Sequence, residues 1–518
     1  MTDMGEDVLG TGPTHSRDRA LAFTGEAAPY PVGSPSHLRG ARRRHSMKNR
    51  LHPFVAALAL ALLVAQPLAA RQPVPAVPAH GVVGIQPAHL TPAFWLERLE
   101  TPDAVLMDRN AIQAQNTRLW ALDGSMHDLR ALPGTLDAGT VRALIEDLSE
   151  RPSSGRWDVE GRPVPDTVLD AMVDNVALDA IPASQPTRHG LVVHRAALRT
   201  FPTAQRMFSR AGETDIDRLQ ESALFPGTPV VIAHESADGD WLFVVSPRYA
   251  AWIEKRHVAE GSAEAVFGHV DASPYRVITG ATEHTVFTRE EPRVSQLQLD
   301  MGVRVPVADT PPDQPVNGQH PYTAHVLRLP VREADGSLGF APALLPRIAD
   351  SSADYLPLTR GNLVAQSFKF LGERYGWGHA YNARDCSGFV SEIYRSMGVQ
   401  LPRNTSAQAV SPALEHVTFD ADDDRATRMA AVDSLQVGDL VYIPGHVMMV
   451  IGRVDGAPYV IHDTNDGSVL DADGGLRSMA LNGVSVTPLL PMMFNRTESY
   501  VDRMTSIVRP HVPTAPSR

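Results

Sequence analysis

The chain has 518 residues, 43% of them hydrophobic and 20% charged, which is room for roughly three or four domains of about 100–200 residues with cores of their own. A formal net charge of −12 argues against nucleic acid as the main partner, and 42 prolines argue against one helical bundle. One cysteine in the whole chain, Cys386, excludes an intrachain disulfide.

In chain order, Met47-Lys48-Asn49-Arg50 opens a basic patch, Phe54 to Ala65 is an unbroken apolar run, and Pro67-Leu68-Ala69-Ala70 supplies small residues. That sequence of features over 47–70 reads as a cleavable export signal too short to span a bilayer comfortably, so a periplasmic or extracellular protein without stable membrane insertion is expected. No cysteine lies near the cleavage site to carry a lipid anchor. Residues 1–46 are then expected to be an upstream extension with Met47 the true start. Precursor peptides from 1–46 in N-terminal sequencing would sink that reading. Residues 71–83 form a proline-rich linker.

Residues 84–185 read as a helical N-terminal segment, with Trp95, Leu96 and Leu99 on one face and Val141, Leu144, Ile145 and Leu148 on another. From 186 to 260 the pattern changes to short strands: Leu191–Val193, Thr228–Ala233, Trp241–Val245 and Ala251–Ile253, the spacing of a small β-barrel. Residues 261–348 repeat that texture, with strands at Tyr275–Ile278, Val303–Val307 and Thr323–Arg328. Residues 349–505 read as an α+β domain, helices first and an antiparallel sheet after, and 506–518 as a tail.

Cys386 lies in that last domain. Phe389, Val390, Ile393, Tyr394 and Met397 recur at helical spacing, with Asp385 as N-cap and Gly398 past the end. A cysteine on the first turn of a helix meets unpaired N–H groups that favour the thiolate. In an exported protein, where cysteines usually pair, a solitary thiol points to a nucleophile rather than to packing. A cysteine nucleophile at neutral pH wants a base within hydrogen-bond reach, and four histidines follow it. His446 and His462 each stand at the edge of an apolar strand, whereas His416 reads as a loop residue and His511 as a surface residue of the tail. No paired-histidine helix motif and no CxxC spacing occurs, so neither a metal nor a cofactor is expected.

Tyr375-Gly376-Trp377-Gly378, Asp385-Cys386-Ser387-Gly388-Phe389, Leu435 to Val441 with its Gly438-Asp439, Gly445-His446-Val447 and His462, in this order, resemble the NlpC-type papain-like cysteine peptidases of bacterial cell-wall metabolism. The strands before them, with Asp240-Trp241 and Tyr249 to Trp252, resemble the bacterial SH3-like domains that precede this peptidase in one subgroup. The implied architecture is multidomain: a papain-like α+β catalytic domain preceded by two small SH3-like β-barrels and a helical N-terminal segment.

The resemblance implies Cys386 as nucleophile, His446 as general base, His462 as the residue that orients it, and Tyr375 near the oxyanion. It implies hydrolysis of the γ-D-glutamyl-diamino acid bond of murein peptides with a free N-terminal L-Ala. Asp385 and Ser387 would accept the ammonium, and Glu221 and Tyr249 of the first SH3-like domain would close the pocket. This chain departs from the pattern at His379, where a second glycine is usual, which is expected to narrow the site mouth or add charge. The acidic 420–424 loop lengthens the path from Cys386 to His446 to 60 positions (446 − 386), enough for an insertion that walls the site. Asp463, Asn465 and Asp466 crowd His462 and contest its role. A cell-wall amidase of the related Cys-His class fits the same pair, and a non-catalytic wall-binding protein fits the SH3-like domains alone.

Overall fold

A computed structural model of the chain describes residues 81–152 and 155–513. The expected upstream extension, the export signal and the linker as far as residue 80 lie outside the described residues. Among the described residues, no helix is long and apolar enough to cross a membrane.

Four helices of three to four turns or less begin the fold: Pro92–Leu96, Arg109–Leu122, Ala138–Leu148 and Asp166–Asn175. Arg109–Leu122 lies over the far end of the Cys386 helix. Arg109 donates to the carbonyl of Met397 at 2.7 Å and Asn116 to that of Gly398 at 2.8 Å, satisfying acceptors that a helix C-terminus leaves open. The next two helices instead cover the first β domain, where Val141, Ile145, Leu169 and Met172 share a core with Phe243 and Trp252.

That β domain is one antiparallel sheet of seven strands. Its order is Val258–Gly261, Arg188–Val192, Pro229–Glu235, Trp241–Ser246, Tyr249–Glu254, Ala196–Arg199, Gln220–Leu224. Both faces are covered. Phe243 and Val245 turn to the helices, while Leu242 and Val244 fill a second core with Val230, Ile232 and Ile253. Alternation along a strand with two buried faces explains its unbroken apolar run.

Beyond it, Tyr275–Ile278, Arg304–Pro306 and Ser351–Ser352 pair in one small sheet. Thr282–His284 pairs with Gln298–Asp300, and Ala324–Arg332 with Leu338–Pro346. These pieces share a core that includes Ile278, Leu299, Val305, Leu327 and Leu345.

The last domain packs helices on a six-stranded antiparallel sheet in the order Glu415–Thr418, Ser506–Arg509, Leu440–Ile443, His446–Val454, Ala457–Thr464, Gly483–Pro488. Helix Cys386–Ser396 crosses one face, over Val447, Met449, Ile451 and Ile461. Its apolar residues Phe389, Val390, Ile393 and Tyr394, and Met397 at its C-cap, are fully buried. At about 1.5–3 kcal/mol each, their burial far outweighs the helix's own propensity.

Two expectations are corrected by this sheet. Ser506–Arg509 is no tail but an interior strand, paired on both sides. His511 follows it into the core, 2% exposed, with Nδ1 3.3 Å from the Tyr394 hydroxyl. The acidic loop walls no site. It ends in Asp424, the N-cap of helix Arg425–Asp433, whose Val432 packs with Met448 and Val450 on the sheet face away from the Cys386 helix.

Candidate active site

Asp385 caps the Cys386 helix as its sequence implies: the carboxylate accepts the Gly388 N–H at 2.8 Å, a contact worth about 1 kcal/mol. Cys386 is 6% exposed. Burial, and then the neighbouring Asp385 carboxylate, push its thiol up to about 12. Burial and the adjacent anion thus oppose the thiolate that the helix N-terminus favours. One interaction works the other way: the backbone N–H of Val447 is directed at the sulphur and favours its ionised form. It joins the first turn of the helix to the head of the His446 strand.

His446 and His462 belong to adjacent antiparallel strands whose register makes them diagonal neighbours. His446 Nε2 lies 2.7 Å from His462 Nδ1, and His462 Nε2 lies 3.0 Å from Thr487 Oγ1 on the next strand. Burial lowers His446 to about 4, and burial together with His446 holds His462 well below its ordinary value. Both rings are neutral at pH 7. Of the acidic neighbours that contest the role, Asp463 is buried, accepts no hydrogen bond from the described residues, and is pushed well up by burial. Thr487 was not legible in the sequence. A hydroxyl within Gly483–Pro488 carries no motif, and only strand pairing brings it to His462.

Tyr375 is 6% exposed, and its phenol is driven well above 10 by burial and then by the charges of Cys386 and Asp385. Arg403, also unpredicted, is the centre of the surrounding polar cluster. It donates to Asp385 Oδ2 at 2.7 Å, to Ser387 Oγ at 2.8 Å, to His379 Nδ1 at 2.8 Å and to Ser222 Oγ at 2.6 Å. Asp385 also accepts the Gly378 N–H at 3.0 Å, and this company holds its carboxyl down at about 2 despite burial.

His379 neither narrows the mouth nor adds charge. Its ring is turned inward, 3% exposed, and donates from Nε2 to Glu392 at 3.1 Å. Burial, and then Arg403, lower it to about 4, so it is neutral.

The seven-stranded β domain forms one side of this cluster. Gln220 donates to the Gly378 carbonyl at 2.7 Å, and the Trp377 indole donates to the Gln220 carbonyl at 3.0 Å. Gly378 has φ +56°, and a Cβ there would meet the Gln220 oxygen at 3.0 Å. Only glycine allows this approach. Next to Gln220, Glu221 accepts the Tyr249 hydroxyl and, at 2.6 Å, the Thr200 hydroxyl. Arg403 and Asn404 also face the Tyr249 phenol. Residues nearly two hundred positions apart in sequence thus meet beside the Cys386 helix.

Cavities of about 350 and 190 Å³ lie elsewhere, between the β domain and the Ala324–Pro346 hairpin, and neither is lined by Cys386 or its histidines. Among the described residues, no group of three or more His, Cys, Asp or Glu is placed to hold a metal ion.

With that geometry in hand, two family matches can be placed on it. Residues 206–254 match the SH3 domain of SH3b1 type, and residues 372–480 match the NlpC/P60 family. The chain carries an SH3b domain followed by an NlpC/P60 cysteine peptidase domain, and Cys386, His446 and His462 all fall within the latter match. Dipeptidyl-peptidase 6 of Lysinibacillus sphaericus is 24% identical over 250 residues, which cover 46% of this chain and 80% of that protein. A probable endopeptidase p60 of Listeria seeligeri is 30% identical over 97 residues, 18% of this chain and 16% of the relative. The solved structure of an NlpC/P60 endopeptidase from Photobacterium damselae subsp. piscicida superposes with a TM-score of 0.66 at 16% identity, covering 81% of this chain and 97% of that one. That likeness establishes a shared fold.

Proposed function

We propose that the protein is a cysteine endopeptidase that hydrolyses the γ-D-glutamyl-diamino acid bond of murein peptides, with Cys386 as nucleophile, His446 as base and His462 as the residue orienting it. The observation that carries this reading is the hydrogen-bond line from His446 to His462 to Thr487, which begins next to Val447, the residue whose N–H faces Cys386. With Thr487 as acceptor, His462 carries its proton on Nε2 and receives one from His446 Nε2. His446 Nδ1 is then left unprotonated, the tautomer a general base needs.

In the reaction, the Cys386 sulphur attacks the glutamyl carbonyl as His446 takes the thiol proton. The oxyanion meets the Cys386 backbone N–H, which a helix start leaves free, and Tyr375. Collapse expels the amine with the proton from His446. Water, deprotonated by His446, then hydrolyses the thioester. With thiol and imidazole both neutral, the proton transfer is part of the attack.

Glu221 and Tyr249 are read as the groups that receive the free ammonium of L-Ala. Glu221 has hydroxyl partners only among the described residues, so its charge is open to a cation. Asp385 and Ser387 are engaged by Arg403, which demotes them from ammonium acceptors to supports of the site. That engagement favours a second reading, a wall hydrolase of the Cys-His class acting on stems still joined to sugar. We also read 261–348 as a second SH3-like module, on its shared core.

Mass spectrometry of L-Ala-γ-D-Glu-diaminopimelate, and of the same stem on muramic acid, after digestion by wild type and Cys386→Ala tests the reaction and the free-amine preference. Cleavage of the free peptide by wild type only is expected. Equal or preferred cleavage of the sugar-linked stem would defeat the free-amine reading, and activity surviving in Cys386→Ala would defeat the nucleophile.

A further inference from the structure

A continuous line of ion pairs and hydrogen bonds runs from the second β region to the cap of the Cys386 helix. Asp300 Oδ1 accepts from Arg384 at 2.7 Å, and Arg384 Nε donates to Glu392 at 3.0 Å. Glu392 accepts from His379 Nε2 at 3.1 Å, His379 Nδ1 accepts from Arg403 at 2.8 Å, and Arg403 donates to Asp385 at 2.7 Å. Every member is less than about a tenth exposed. His379 is an interior link and the one uncharged member.

We propose that His379 is a positioning residue for Cys386, acting through Arg403. A histidine with its proton on Nε2 presents a lone pair at Nδ1, and this pair fixes the rotation of the Arg403 guanidinium. Held so, Arg403 reaches Asp385 and Ser387 together, on either side of Cys386. The ring also rests on the first turn itself, since a Cβ on Gly388 would come within 2.3 Å of His379 Cε1. His379 has φ +64°, a left-handed conformation that a histidine adopts at a cost and that the surrounding contacts must hold. Arg195 supplies that hold from the first β domain, donating to the carbonyls of His379 at 3.1 Å and Ala383 at 2.7 Å. The aim of the nucleophile thus depends on two domains besides its own.

This inference rests on Cys386 being the nucleophile, and the test separates the two. As the only cysteine, Cys386 can be followed by iodoacetamide alkylation without any substrate. His379→Asn keeps an acceptor near the Nδ1 position, and Asn tolerates the left-handed backbone. His379→Gln keeps the donor toward Glu392 and lacks that acceptor. For His379→Gln, kcat and the alkylation rate are expected to fall about tenfold with KM within about twofold, because misplacement of about an ångström costs that much or more. His379→Asn is expected to stay within about threefold of wild type in both. Wild-type kcat and alkylation in His379→Gln, or equal losses in the two variants, would overturn the proposal. If Cys386→Ala retains hydrolysis while the alkylation rates still split as stated, it is the nucleophile reading that fails and the positioning role that stands.

Discussion

His446 Nε2 and His462 Nδ1 stand 2.7 Å apart on neighbouring strands, and burial keeps both rings neutral at pH 7. A neutral imidazole can donate or accept at either nitrogen, and His446 presents a bare Nδ1 when the partner on the other side of His462 acts as acceptor. That partner is Thr487 Oγ1 at 3.0 Å.

Thr487→Val keeps the shape of the side chain and removes the acceptor. His462 then has no reason to hold its proton on Nε2, and His446 is no longer fixed in the tautomer with a free Nδ1. A fall in kcat of about tenfold with KM within about twofold is expected. Steady-state kinetics on a murein tripeptide decides it, and an unchanged kcat would remove Thr487 from the site.

The pH dependence of thiol reactivity follows from the same burial. With Cys386 raised to about 12 by desolvation and Asp385, the thiolate fraction rises about tenfold per pH unit through the neutral range. Alkylation by iodoacetamide should therefore climb steadily between pH 6 and 9. A rate that is flat across this window would mean a preformed thiolate–imidazolium pair, and the neutral-pair description would be wrong.

Local signals were legible in the sequence to the extent that one helix or one strand contains its own reason. The Asp385 cap, the buried stripe from Phe389 to Met397 and the apolar strand behind His446 depend on neighbours a few residues away. Arg403 and Thr487 depend on strands and helices that meet only after folding, and neither sits in a pattern of its own. The same reason accounts for His511 and Ser506–Arg509, which look like tail because they lack alternation of their own and gain a sheet only from Leu440–Ile443 and Glu415–Thr418. His379 stood out in the sequence as a departure. Its meaning was not legible there, since Glu392 and Arg403, which turn it inward, come from two other segments.

Acid should weaken the fold through its neutral histidines. His379 is lowered to about 4 by burial and Arg403, and His462 lies well below its ordinary value. An unfolded histidine titrates near about 6.5, so between that pH and 4 the unfolded chain binds protons that the folded chain refuses. The stability these residues contribute is complete above about 6.5 and is lost as pH falls toward 4. Asp385, held at about 2, adds a loss only below its own unfolded value near about 3.8. Urea midpoints measured from pH 7.5 to 4.5 should fall, less steeply in His379→Asn. A flat profile would contradict the neutral, buried state of these rings.

Arg384 offers the most direct measure of how the second β region is tied to the peptidase domain. Its guanidinium is fully buried and reaches Asp300 at 2.7 Å, Glu392 at 3.0 Å and Glu373 at 3.0 Å, with the Ala281 carbonyl at 2.7 Å as a further acceptor. Asp300 and Ala281 come from the second β region, while Glu373 and Glu392 flank the candidate site. Such a network is a poor source of net stability when intact, because desolvation of the ions consumes most of their attraction, but removing one partner strands the others in a dry interior. Arg384→Met retains most of the volume, leaves Glu392 without its central cation and leaves Asp300 with Arg195 alone, at 3.4 Å. A loss of about 3–5 kcal/mol in urea unfolding is expected. The half-exposed Arg130–Asp271 pair, at 2.7 Å an equally short contact, is the control: Arg130→Met should change stability little, since water screens it. Equal effects of the two substitutions would mean that Arg384 holds no special place between the domains.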